Sequence, residues 1–138
     1  MSLEECLEKG LIRKGDCAFK IHGSINIATH FLERAEGSYK INYFDTAFLM
    51  GYNCMFHCAR ALLFSKGYTE RSHACLVIFL KKEYEQNSSI IQYLNALNTY
   101  RSFRESIQYS GDACSETDAR ELIKDAKGFL KEIKSILK

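Results

Sequence analysis

The stretch from Tyr43 to Ser65, YFDTAFLMGYNCMFHCARALLFS, decides the fold. Its apolar residues recur nearly all round a helical wheel rather than along one stripe, and Gly67 follows as a C-terminal cap. A helix without a broad polar face has to be covered on several sides, either by lipid or by other helices. Asp45, Asn53, His57 and Arg60 interrupt the run, and charge at mid-span is expensive in a bilayer. The spacing therefore predicts the central helix of a bundle or of a dimer seam, and no membrane span is expected elsewhere.

Working outward, Ser24, Ala28, Phe31, Leu32, Ala35 and Tyr39 recur at steps of three and four and mark an amphipathic helix ending near Lys40. A break at Ile41 and Asn42 separates it from the central helix. Thr69 is expected to cap a third helix through Lys82, and Glu83 to Ser89 reads as the longest loop. A fourth helix runs from about Ser89 to Tyr109 and stops at Ser110-Gly111-Asp112. Ser115-x-x-Asp118 resembles a capping box opening a last helix with Ala119, Leu122, Ile123, Ala126, Phe129, Leu130, Ile133 and Leu137 on its inner face. The expected architecture is all-α: an antiparallel up-and-down bundle of four long helices plus one or two short ones. One domain spans residues 1–138. Residues 1–23, broken by Gly10, Gly15 and Gly23, form an N-terminal extension packed on it.

Composition agrees. The 138 residues are 46% hydrophobic and 26% charged, which suits a folded domain and excludes a disordered scaffold. There is no proline, where average usage of ~5% would give about seven, so the punctuation of loop-rich and β-rich chains is missing. Nineteen basic residues face seventeen acidic ones, for a net charge of +2, with no basic arm or acidic tail. Bulk electrostatic binding of duplex DNA is thereby excluded, and any nucleic-acid contact must be local.

Six cysteines stand at positions 6, 17, 54, 58, 75 and 114. The opening MSLEECLEKG lacks an apolar signal-type stretch, so the expectation is a cytoplasmic chain with reduced, packed thiols. Cys54 and Cys58 lie one turn apart around His57, but no Cys-x-x-Cys pair occurs, and neither a metal site nor a cofactor is expected.

Two polar groups lie where a bundle prefers apolar residues. Asn53, His57 and Arg60 share one stripe of the central helix, either as a buried network fixing register or as one wall of a cleft. On the fourth helix Arg101 and Arg104 stand three apart, with Gln108 and Tyr109 beyond them. They form either a solvated face or a pair of planar donors for phosphate with an aromatic alongside.

The run Gly51-Tyr52-Asn53-Cys54-Met55-Phe56-His57-Cys58-Ala59-Arg60-Ala61-Leu62-Leu63, with Gly67 and Ser72-His73 after it, resembles the central signature of HEPN domains (higher eukaryotes and prokaryotes nucleotide-binding), in particular the short stand-alone prokaryotic group. The similarity extends over roughly residues 24–137 and implies a five-helix topology and a homodimer. It also implies work alongside a minimal nucleotidyltransferase, in a toxin–antitoxin or accessory pair. The family's active motif is an arginine followed four to six residues later by a histidine, used in metal-independent RNA cleavage. Arg104 falls on the arginine position, while Tyr109 occupies the histidine position, and a phenol with a pKa near ~10 is a poor general base at neutral pH. His57 and His73 match family positions as well.

Three readings follow. The first is a dimeric module that binds a nucleotide or RNA phosphate through Arg104, Tyr109, Asn53, His57 and Arg101. The second is a metal-independent RNase toxin with Arg104 and Tyr109, or His57, as its catalytic groups. The third is a structural assembly protein without ligand.

Overall fold

The computed structural model describes residues 1–137. In chain order it contains α1 (Leu3–Glu8), β1 (Ile12–Lys14), a short 3-10 turn (Ala18–Lys20), α2 (Ile21–Lys40), α3 (Phe44–Ser65), β2 (Tyr68–Glu70), α4 (His73–Glu83), α5 (Ser88–Tyr109) and α6 (Glu116–Ile136). The all-α helical bundle expected from the sequence is what is found, with one two-stranded antiparallel ladder added.

α3 is the centre of the bundle. It packs against α2, α6, α5 and α4, and Ala47, Phe48, Tyr52, Cys54, Met55, Cys58, Ala59, Ala61, Leu62, Leu63 and Phe64 are all buried along it. The chain reverses between α2 and α3 at Asn42, which takes a left-handed conformation with φ of 65°, one that asparagine tolerates better than branched residues. α6 lies on α3 through the face its periodicity marks, from Ala119 to Ile133. The two backbones come close where Leu122 meets Gly51: a Cβ at Gly51 would sit 3.2 Å from the Leu122 side chain. The capping box at Ser115 and Asp118 is formed in both directions, satisfying two N-terminal donors of α6. Gly67, at φ 81°, ends α3 as expected.

The sequence-based expectation fails in four places. Thr69 does not cap α4; it lies in β2 opposite Arg13, because a β-branched residue suits an extended strand. Ser72 is the cap instead, its hydroxyl accepting from the Cys75 N–H at 3.2 Å. The first long helix opens at Ile21 rather than Ser24, so residues 1–20 precede the helical body. The thiols are not all reduced, since Cys6 and Cys75 form a disulfide that joins α1 to α4. The connection expected to be the longest, Glu83 to Ser89, is only residues 84–87, shorter than the 110–115 link between α5 and α6. α3 itself is largely covered within the protomer, with Phe44, Leu49, Met50 and Phe56 half-buried along it, and the large exposed apolar residues include Phe19, Ile41, Tyr109 and, at the N-cap of α3, Tyr43.

Leu122 is fully buried, whereas Ser115 acts only at a helix end. Leu122→Ala should cost about 2–5 kcal/mol and Ser115→Ala about 1 kcal/mol, measured by urea unfolding followed by circular dichroism. Equal costs would contradict the α3–α6 seam.

Candidate functional site

A cleft of about 300 Å³ opens where four helices meet, lined by Phe31, Tyr52, Asn53, Phe56, His57, His73, Arg101 and Arg104. Helical geometry assembles it. On α3, positions 52, 53, 56 and 57 fall on neighbouring rows, and on α5 Arg101 and Arg104, three apart, project to the same side. His73 is the first residue of α4, and α2 contributes Phe31.

Tyr52 ties the cleft together. It is only 2% exposed, with its ring face 4.8 Å from the Arg104 guanidinium carbon and its hydroxyl 3.1 Å from the His73 ring nitrogens. One residue thus holds a cation on its π face and an imidazole on its oxygen. His73 also stacks on Phe56, with centroids 5.1 Å apart, and His57 stacks on Phe31 at 5.7 Å.

The electrostatics follow from this packing. Burial holds His73 down to a pKa of about 4, helped by the positive charges of Arg101 and Arg104. Burial and then Arg60 bring His57 to about 4 as well. Tyr52 is pushed up to about 12 by burial, against the opposing pull of the two arginines. At neutral pH the cleft therefore contains two cationic forks, two neutral imidazoles and a protonated phenol. Two buried polar atoms in it have no hydrogen-bond partner, Arg104 Nε and His57 Nδ1. Arg101 lies 3.8 Å from Glu105 in an exposed i,i+4 pair, an interaction of small worth.

Of the residues singled out in the sequence, Asn53, His57, Arg101 and Arg104 come together in this cleft. Tyr109 lies outside it, at the end of α5 and 80% exposed. Five residues along a helix turn a side chain by about 140°, against about 60° between Arg101 and Arg104. Arg60 also leaves the stripe: it bonds Glu70 on β2 at 2.8 Å and covers Phe64. Tyr52, Phe56 and Phe31 were missed as site residues because their spacing reads as core. His73 was legible only as a match to a family position, since the sequence puts the start of its helix at Thr69 rather than Ser72.

A larger hollow of about 380 Å³ lies between α2 and α6, lined by Glu36, Tyr39, Lys40, Arg120, Ile123, Lys124 and Lys127. It contains neither of the two unpartnered buried atoms, and its Lys127 is already paired with Glu36 at 3.2 Å. The smaller cleft carries the convergent polar chemistry. Among the described residues no cluster of His, Cys, Asp or Glu could hold a metal ion, and no helix is long and apolar enough to cross a membrane.

Comparison with known proteins gives a consistent result. The family model for the HEPN domain matches residues 21–136. The chain is 30% identical over 132 residues, covering 94% of its own length and 97% of the relative's, to a protein of Methanocaldococcus jannaschii named "Putative toxin MJ0605". It is 26% identical over 115 residues, covering 82% of its length and 78% of the relative's, to "Putative toxin MJ0142" of the same organism.

The two imidazoles give the fold an acid-sensitive flank. Each binds its proton more weakly folded than unfolded, so the unfolded chain takes up more protons between about pH 6.5 and 4, and stability is lost as pH falls through that window. Urea midpoints measured from pH 7.5 down to 5 should fall. The fall should shrink in His57→Phe and shrink further when His73→Phe is added, and an unchanged slope would show that the imidazoles titrate normally.

Proposed function

The chain belongs to the HEPN domain family, and from that premise we propose that it is a toxin-type module whose cleft binds the phosphate of a nucleotide or of single-stranded RNA. The observation that carries this reading is Arg104. Its guanidinium is drawn over Tyr52 and, among the described residues, has no carboxylate paired to it and a buried Nε donor left without an acceptor. An unsatisfied buried donor costs about 1–3 kcal/mol, and a phosphate oxygen is the acceptor that a forked cation suits best. Arg101 supplies a second positive charge, while the Asn53 amide and the His73 N–H supply neutral donors. Phe31 and Phe56, whose faces are taken up by His57 and His73, leave their ring edges to a base.

Binding is favoured over cleavage because burial draws both imidazoles of the cleft well below neutrality. An imidazole held near 4 is a weak proton acceptor, and in the protomer Tyr109 stands outside the cleft. Metal-independent RNA cleavage is the second reading, and His73 favours it, since an imidazole lies in the same cleft as both arginines. A bound phosphate would offset their charge and raise its pKa. The proposal extends to a homodimer through the exposed apolar residues Phe19, Ile41, Tyr43 and Tyr109, and to a minimal nucleotidyltransferase as the partner that restrains the toxin.

Anisotropy of a fluorescein-labelled single-stranded RNA, competed with pyrophosphate, tests the site. Arg104→Ala should weaken binding about tenfold or more, the worth of one charge-assisted hydrogen bond, while Tyr109→Phe leaves it unchanged. Wild-type affinity in Arg104→Ala would overturn the assignment. If the RNA is cut in the presence of EDTA and His73→Asn abolishes the cutting, the second reading replaces the first. Sedimentation at micromolar concentration should give a dimer; a clean species of 15.9 kDa would contradict it.

A further inference from the structure

Residues 1–20 lie outside the family match, which begins at residue 21, yet they are bonded to the segment that delivers His73 to the cleft. β1 pairs antiparallel with β2, Ile12 opposite Glu70, Arg13 opposite Thr69 and Lys14 opposite Tyr68. On either side of this ladder the Gly15 N–H donates to the Gly67 carbonyl at 3.0 Å, and the Arg71 N–H donates to the Leu11 carbonyl at 2.8 Å. The Cys17 thiol points at the carbonyls of Phe64 and Tyr68, at 3.6 and 3.4 Å. Cys6, Ile12 and Cys17 are all buried in making these contacts. The α3–α4 connection is thus held from Gly67 to Arg71 by the N-terminal segment.

We infer that residues 1–20 act as a positioning clamp for His73, locked by the Cys6–Cys75 disulfide, so that a dithiol reductant changes the shape of the cleft. Cys75 lies two residues beyond His73 in the first turn of α4, and its partner Cys6 lies in α1. The bridge therefore fixes the end of α4 that carries the imidazole. The sequence separation between the cysteines is 69 residues, and closing a loop of that length restricts the open chain strongly. α1 is only 6 residues long, too short to hold its place by its own helicity. Reduction is balanced as two electrons and two protons: the dithiol becomes a cyclic disulfide, and Cys6 and Cys75 become two thiols. Both sulfurs are buried, so the exchange requires α1 to lift first, and afterwards the clamp is retained without a covalent tie, by the three-residue ladder, its flanking bonds and the buried Ile12 and Cys17.

His73 reports on its own position. The groups facing it are Tyr52 and Phe56 on α3 and Arg101 and Arg104 on α5. His57 serves as the comparison, because it sits on α3 and feels the N-terminal segment only indirectly, through Phe56 and through Arg60, which bonds Glu70 on β2.

The experiment needs no ligand, so its failure is separate from failure of the binding proposal. Histidine ring signals of the full chain are followed by NMR through a pH titration, oxidised, in dithiothreitol, and in the Cys6→Ala/Cys75→Ala double variant. Amide exchange is recorded alongside. The reduced protein and the double variant should show the His73 midpoint raised by a unit or more, with a smaller shift at His57. Exchange of residues 67–73 should be at least tenfold faster, with α6 unchanged. Identical His73 titration and exchange in all three samples would overturn the inference, as would a parallel shift of both histidines, which would indicate general loosening. Thiol counting that finds Cys6 and Cys75 free in untreated protein would remove the lock.

Discussion

Burial of α3 is the constraint on which the remaining structure depends. A helix of 22 residues with apolar side chains on nearly every row cannot stand at a surface, and four other helices are arranged so that it does not have to. Shape complementarity follows: Gly51 admits Leu122, and α6 can approach only because no Cβ intervenes there. Losing a single large side chain from this contact leaves a cavity that its neighbours fill only in part.

The same constraint places the cleft. α3 carries few polar side chains, and where Asn53 and His57 break its apolar surface the surrounding helices part rather than close. Tyr52 belongs to both regimes, its ring in the core and its hydroxyl and π face serving His73 and Arg104. Desolvation that stabilises the bundle is also what keeps both imidazoles neutral, so the chemistry of the cleft and the stability of the fold share one cause.

Helices with strong periodicity were legible in the sequence. α6 could be read nearly residue by residue, since its cap, its inner face and its polar face agree, and α3 was legible from its lack of a polar face. What escaped the reading depends on partners distant in sequence. Thr69 precedes an apolar run and locally reads as a cap, but its conformation is set by Arg13 across the ladder. The Cys6–Cys75 bridge carries no local signature at all. In the site, Arg101, Arg104, Asn53 and His57 were recognisable because polar residues at helical spacing on apolar helices are unusual. Tyr52 and Phe56 were not, because an aromatic at those positions reads equally well as core. Helical phase, which a motif spacing does not encode, separates Tyr109 from Arg104.

The central claim is that the junction of α3, α4 and α5 is an anion site built around Arg104. Chemical-shift mapping with pyrophosphate tests it most directly, following the arginine Nε–H and histidine ring signals together. Saturable shifts are expected at Arg104, Arg101 and His73, with Arg120 in the α2–α6 hollow unaffected. Shifts confined to Arg120 and its neighbouring lysines, with Arg104 unmoved, would contradict it.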